Sequence, residues 1–265
     1  QWHSELFRFA KKNKIICFSS PFDETAVDLL EELNTPFYKV ASPEITHIPL
    51  IKKIAKTKKT IIMSTGMANL KEIDLAYKVA KQNGAKSIII LYCVSKYPAQ
   101  ISDYNFNNIK ILKKRFGCKI GFSDHSLDNR VAATAIACGA ELIEKHIALR
   151  NEKKSPDYKF SLKDKEIKTY INNINEISAM KGKNFFYRNL TESKNLKYRQ
   201  SIYSISKISK GDKITKDNIK VLRPANGLHP IYFEELLNKK CPINIKKGTP
   251  LDKLLLKKLK IKNKI

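Results

Sequence analysis

Several things are scarce in this 265-residue chain, and each scarcity closes off a class of function. Its five cysteines, at positions 17, 93, 118, 138 and 241, form no CxxC pair and are odd in number, so neither a zinc knuckle nor a disulfide framework is indicated. Several sit in apolar runs, where a free cysteine acts as a small hydrophobe, and a reducing, cytoplasmic setting is expected. The longest apolar run, "SIIILYCV" at 87–94, is far short of the roughly 20 residues of a membrane span, so no membrane partner is expected. The opening "QWHSELF" has no initiator methionine and no charged-then-apolar leader pattern; the chain is expected to be a piece of a longer one. Acid is also scarce. With 25 Asp and Glu against 51 Lys and Arg, the formal charge is +26, which raises nucleic acid or another polyanion as a partner. The lysines are dispersed, without an arginine-rich or aromatic-interleaved motif, so no nucleic acid is expected. A basic interior for a small phosphorylated substrate stays open.

What is present is a repeated unit. A short β-branched run, a polar or Gly/Pro turn and a helical stretch recur. The runs are "IICFSSPF" from Ile15, "FYKVAS" from Phe37, "TIIMSTG" from Thr60, "SIIILYCV" from Ser87, "KIGFSDH" from Lys119 and "LIEKHIAL" from Leu142. Between them lie helix candidates such as "DETAVDLLEELN", with an acidic first turn, and "NLKEIDLAYKVAKQNG", with an Asn-Gly stop. Strands alternating with helices imply parallel pairing through crossover helices. No G-x-G-x-x-G follows the first run, which leaves dinucleotide binding little support.

Almost every run ends in polar groups: Ser19 and Ser20, Lys39 and Ser42, Ser64 and Thr65, Ser95, Ser123 with His125, and Glu144 with His146. In a (β/α)8 barrel the strand ends converge on one mouth. The pattern therefore predicts an α/β fold, a TIM barrel lacking its first two βα units, over residues 1–182. A polar connector, 183–200, leads to a small β-rich module at 201–265, with turns at Lys210-Gly211 and Lys247-Gly248. A module of that size is near the lower limit of independent stability and is expected to lean on another surface. Two histidines at matching strand ends suit a divalent transition metal with positions left for water and substrate; the alternative is a pair of hydrogen-bonded core or surface histidines.

The motifs "FSSPFD", "YKVAS", "STGMA", "GFSDHS", "GAELIEKHIAL", "SPDYKFSL", "RQSIY" and "RPANGLHPIYFEELL" resemble, in order and spacing, the sialic-acid synthase family. Its members condense phosphoenolpyruvate with an amino sugar to give a nine-carbon ulosonic acid. The C-terminal module is similar to the antifreeze-like (SAF) domain attached to those barrels. Within the family the likeness is greatest to the pseudaminic acid branch, which uses 2,4-diacetamido-2,4,6-trideoxy-altrose, with N-acetylneuraminate and legionaminic acid synthases as near alternatives. A noncatalytic anion- or carbohydrate-binding protein is the alternative of a different class.

The resemblance implies a manganese ion, with magnesium as substitute, on His125 and His146. It assigns Lys39 to phosphoenolpyruvate; the alternative is a lysine reaching solvent. Ser64 and Ser123 would donate to phosphate or carboxylate, and Ser20 and Phe22 match pocket positions, although strand-end serines also serve as local caps. Glu44 and Asp157 correspond to carboxylates that hold sugar hydroxyls or assist proton transfer. Glu144, two residues before a histidine, would orient it or its water. Exposed salt bridges are the alternative for all three. Tyr97 would line the sugar pocket, and Ser95 would bind substrate. Arg223 would reach a partner subunit's mouth in a swapped homodimer. The family's barrel opens with a glutamate-bearing strand and a lysine-bearing strand that do not match here, so the 265 residues alone are expected to be inactive. Asp124 would at most orient the loop or its neighbours, and no catalytic role is expected for it.

Overall fold

A computed structural model describes residues 2–182 and 185–264. Two compact units divide the chain, one within 1–182 and one within 183–265. Lys183 and Asn184, the start of the expected connector, lie outside the described residues.

In the first unit the strands β1 (Phe37–Val40), β2 (Thr60–Ser64), β3 (Ser87–Cys93), β4 (Lys119–Asp124) and β5 (Ile143–Lys145) form a parallel sheet whose spatial order is their chain order. A doubly wound sheet reverses order partway. This one winds in a single sense and curls as a half-barrel. The helices are α1 (His3–Lys12), α2 (Glu24–Glu32), α3 (Ile48–Lys56), α4 (Leu70–Gln82), α5 (Asn107–Phe116), α6 (Asn129–Ala137) and α7 (Lys165–Lys181). Local chemistry fixes their starts. Asp23 caps α2 through Ala26 N at 2.8 Å, and Asn69 with Glu72 makes a reciprocal capping box on α4. Helix α3 buries Leu50, Ile51, Ile54 and Ala55, a single face at helical spacing.

Register explains how the site arises. Tyr38, Val40, Ile61, Met63, Ile88, Ile90, Tyr92, Ile120 and Phe122 belong to the core under the helices. Because successive side chains alternate between faces, the intervening Lys39, Ser64, Leu91, Cys93, Ser123 and Glu144 fall on the concave face. Cys93 is in register with Ser123, and Ser123 with Glu144.

Two expected strands need correction. The run from Ile15 is reduced to one bridge, Ser19 to Tyr38, with Lys39 N donating to Ser19 O at 3.2 Å. It lies at the sheet edge with Ile15 and Ile16 each 65% exposed, and Pro21 has no N–H to continue the ladder. The run from Leu142 is split. After β5 the chain leaves β4, and β6 (Ile147–Ala148) pairs in parallel with β7 (Leu162–Lys163), while the His146 carbonyl accepts from Leu162 N at 2.9 Å. A two-residue strand such as β7 carries no readable period.

The second unit has the short helix α8 (Leu190–Lys194), an antiparallel pair β8 (Ser201–Ser204) and β9 (Ile219–Leu222), and helices α9 (Phe233–Leu236) and α10 (Lys253–Lys258). Its core includes Ile202, Ile214, Ile219, Leu236 and Leu255. Both expected turns carry glycine at positive φ, +95° at Gly211 and +81° at Gly248. Among the described residues no helix is long and apolar enough to cross a membrane.

Candidate active site

The concave-face side chains surround a cavity of about 340 Å³ at the C-terminal ends of β1 to β5, lined by Ser20, Lys39, Ser42, Ser64, Cys93, Tyr97, Ser123, His125, Glu144 and His146 among others. A larger hollow of about 460 Å³ beside α6 and α7 is lined chiefly by isoleucines and lacks such a convergence of polar groups.

Glu144 is the hub. Its Oε2 lies 3.4 Å from Lys39 Nζ, and its Oε1 accepts a hydrogen bond from Ser123 Oγ at 2.6 Å. Ser123 Oγ is also 3.4 Å from His125 Nε2. On the other side of that ring, His125 Nδ1 is placed 2.9 Å from the Val94 carbonyl. A carbonyl only accepts, so Nδ1 carries the proton and Nε2 keeps its lone pair. Burial lowers the pKa of His125, outweighing the Val94 contact, which raises it. A neutral imidazole is the form that binds metal.

His146 stands beside it, ring centroids 5.3 Å apart, with Nδ1 3.4 Å from Asp157 Oδ2. Tyr97 packs on His125 at 4.2 Å between centroids, Phe160 packs on His146 at 5.0 Å, and burial pushes the Tyr97 phenol up. Among the described residues no group of three or more His, Cys, Asp or Glu forms a metal cage. The donor set fits a divalent ion held by two imidazoles, each with its Nδ1 engaged by a neighbouring oxygen, as is common for ligating histidines.

Ser20, Lys39, Ser64, Tyr97, Ser123, Glu144, His125 and His146 thus share one cavity, with Asp157 beside it. Ser64 Oγ and Ser95 Oγ are buried without a hydrogen-bond partner, and so is Glu44 Oε2 in the turn Pro43–Thr46 after β1. Such orphaned groups are uncommon in folded proteins and mark places that a ligand or water satisfies. Phe22, 66% exposed, lies outside the lining. Arg223 is exposed in the second unit, next to Pro224.

Sequence reasoning counted Ser42 among the polar strand ends without giving it a role, and left Cys93 out of the site. Ser42 Oγ is 3.7 Å from Cys93 Sγ, and burial raises the Cys93 pKa. Strand parity was the available signal, since Cys93 lies two residues beyond the concave-face Leu91. Asp124, for which no catalytic role is expected, is 1% exposed and bonded to Ser126 and Tyr170.

Residues 1–185 match the NeuB family and residues 199–257 the SAF domain. The chain is 40% identical over 247 residues to the N,N'-diacetyllegionaminic acid synthase of Campylobacter jejuni, covering 92% of this chain and 74% of that protein. It is 38% identical to the pseudaminic acid synthase of Helicobacter pylori, covering 95% and 74% respectively. In structure it resembles the spore coat polysaccharide biosynthesis protein SpsE of Bacillus subtilis, at TM-score 0.64 and 30% identity over 94% of this chain and 75% of that one.

Proposed function

We propose the following for this chain, which belongs to the NeuB family and carries a SAF domain: it joins phosphoenolpyruvate to the open-chain aldehyde of an acylamino sugar and releases phosphate. The observation that carries the reading is the single cavity holding Lys39, Ser64, Ser123, Glu144, His125 and His146. The family's enzymes named above support it, and the sugar proposed is 2,4-diacetamido-2,4,6-trideoxy-altrose, with the legionaminic and neuraminic acid precursors as alternatives.

The net reaction consumes water. A bond forms between the methylene carbon of phosphoenolpyruvate and the aldehyde carbon, the aldehyde oxygen becomes a hydroxyl, water adds at the former enol carbon, and the carbon–oxygen bond to phosphate breaks. Lys39 meets the anionic end of phosphoenolpyruvate. It is 8% exposed, and a desolvated ammonium is stabilised by a bound anion. The unpartnered Ser64 and Ser95 hydroxyls donate to phosphate or carboxylate oxygens. Glu44 and Asp157 take sugar hydroxyls, and Tyr97 and Phe160 wall the cavity and keep bulk water from it. A manganese ion, with magnesium as substitute, would sit on His125 and His146 and supply Lewis-acid polarisation of the aldehyde and a held water.

The second unit is proposed to cap a partner subunit's mouth in a homodimer, with Arg223 against the sugar's acylamino group. A small domain gains stability from such exchange.

The test is manganese-dependent phosphate release from phosphoenolpyruvate, run on the 265 residues and on the gene's full reading frame. The sugars offered are 2,4-diacetamido-2,4,6-trideoxy-altrose, N-acetylmannosamine and its 2,4-diacetamido-6-deoxy analogue. Release by the full reading frame with the first sugar alone is the expected result. Release with none of them by that frame overturns the reading in favour of a binding protein.

A further inference from the structure

On the helix-facing side of the sheet lies a second polar cluster that the reaction above does not use, one member of which, Lys145, also lines the cavity. Asp124 and Lys145 are register partners at the ends of β4 and β5, one position out of phase with Ser123, His125, Glu144 and His146. Asp124 Oδ1 accepts from Ser126 N at 2.8 Å and Ser126 Oγ at 2.7 Å. Its Oδ2 accepts from Tyr170 OH at 2.8 Å and lies 3.2 Å from Lys145 Nζ. Lys145 Nζ also donates to the carbonyls of Asp124, at 3.3 Å, and of Ser126.

The side chains of this ion pair are 1% and 8% exposed. A buried ion pair is a poor stabiliser, since replacing both partners by well-packed apolar groups is often neutral or better. Its cost is better accounted for by what it fixes. The bonds above tether the residues on both sides of His125, whose own carbonyl accepts from Ala99 N at 3.2 Å. The ring lies with Nδ1 2.9 Å from the Val94 carbonyl.

We propose that Asp124, Lys145 and Tyr170 form a clamp that fixes the backbone around His125 from behind and thereby selects the tautomer and direction of its imidazole. The three are positioning residues. The helix α7 enters the account through Tyr170: it ties the outer layer to the cavity, so that a side chain with no access to substrate sets the alignment of one that has it. The geometry stands by itself; the consequence for an imidazole that holds a metal rests on the function proposed above.

The test begins without metal, on the 265-residue chain with 15N-labelled histidine. Long-range proton–nitrogen spectra are expected to show His125 as a single Nδ1–H tautomer. Tyr170→Phe removes one hydroxyl, Asp124→Asn keeps the shape but unpairs Lys145, and Lys145→Met keeps the stem. Each is expected to bring in the Nε2–H tautomer at His125, least in Tyr170→Phe, while His47 and His229 do not change. Manganese titration followed by the electron paramagnetic resonance of the free ion is expected to weaken by about tenfold or more, the scale seen when the partners of a ligating histidine are removed.

If the wild-type chain binds no manganese, the metal reading fails and the tautomer result still decides the clamp. An unchanged His125 tautomer in Tyr170→Phe and Asp124→Asn, with only a lower melting temperature, overturns the proposal and leaves a stabilising role. Should the two ion-pair variants not fold, Tyr170→Phe decides alone, because it leaves both charges in place.

Discussion

Glu144 holds Lys39: its Oε2 lies 3.4 Å from the ammonium while its Oε1 is held by Ser123. The cation assigned to phosphoenolpyruvate is therefore partly neutralised before any ligand arrives, and an incoming anion competes with a carboxylate. Removing that carboxylate by Glu144→Ala is expected to tighten phosphoenolpyruvate binding on the order of fivefold, the upper range for partly exposed ion pairs, while turnover falls. Lys39→Met is expected to lower kcat/KM at least about 100-fold, as loss of a group that stabilises developing charge does. Calorimetry and phosphate release measure the two halves. Weaker phosphoenolpyruvate binding by Glu144→Ala would show that Glu144 assists the anion rather than competing with it.

Gly66 follows β2 at φ +32°, and a Cβ there would overlap Ser42 and come within 2.5 Å of Ser95 Oγ. Ser42 belongs to the cavity wall with Lys39 and Ser95 Oγ is a buried hydroxyl without a partner, so Gly66→Ala must move the serines or the loop. Turnover is expected to fall by about tenfold or more, with a stability loss of about 1–3 kcal/mol from strain and overpacking. Phosphate release and urea unfolding are the readouts. Unaltered turnover at reduced stability would mean that the serine hydroxyls are not part of the site.

The parts of this fold legible in the sequence are those with a period or a cap. The strands from Phe37, Thr60, Ser87 and Lys119 and the helices α2 and α4 are where the alternation, the acidic first turn and the Asn-Gly stop place them. The polar strand ends pointed to the cavity because alternation sends Lys39, Ser64, Ser123 and Glu144 to one face. What escaped depends on pairing, which no single strand records. Whether Ile15 to Phe22 forms a strand depends on its neighbours, and the split at His146 depends on Leu162, distant in sequence. Cys93 read as a core hydrophobe, and Asp124 as at most a residue orienting its own loop, because their partners Ser42 and Tyr170 lie 51 and 46 residues away.

Tyr38 is fully buried, and its hydroxyl donates to Glu31 Oε1 at 2.6 Å. Tyr38→Phe is expected to cost about 1 kcal/mol near neutral pH, the usual net value of a hydrogen bond. The cost should depend on pH. Burial, with Glu31 beside it, holds the folded phenol protonated well above its ordinary range, whereas in the unfolded chain it ionises near pH 10. Above that pH the folded state binds more protons than the unfolded state, so the stability due to Tyr38 is complete below about pH 10 and declines above it. Phenylalanine has no such decline. The gap between wild type and variant should narrow from pH 7.5 to pH 10.5 in urea midpoints, and a widening gap would contradict the buried phenol.

Cys93 gives a reading of the cavity floor that needs no substrate. Burial raises its pKa, outweighing the Ser42 and Ser123 contacts that lower it, so at any given pH it holds less thiolate than a free cysteine of pKa about 8.5. Thiolate is the species that iodoacetamide alkylates. At pH 8.5 modification of Cys93, followed by peptide mass spectrometry, is expected to be at least about tenfold slower than that of a free thiol, with restricted access adding to low ionisation. Its rate should keep climbing beyond pH 9, where a free thiol levels off. Phosphoenolpyruvate, seated between Lys39 and the serines, should slow it again. A rate that matches free cysteine and levels off above about pH 9 as free cysteine does would mean that the cavity floor is open to solvent and its thiol unperturbed.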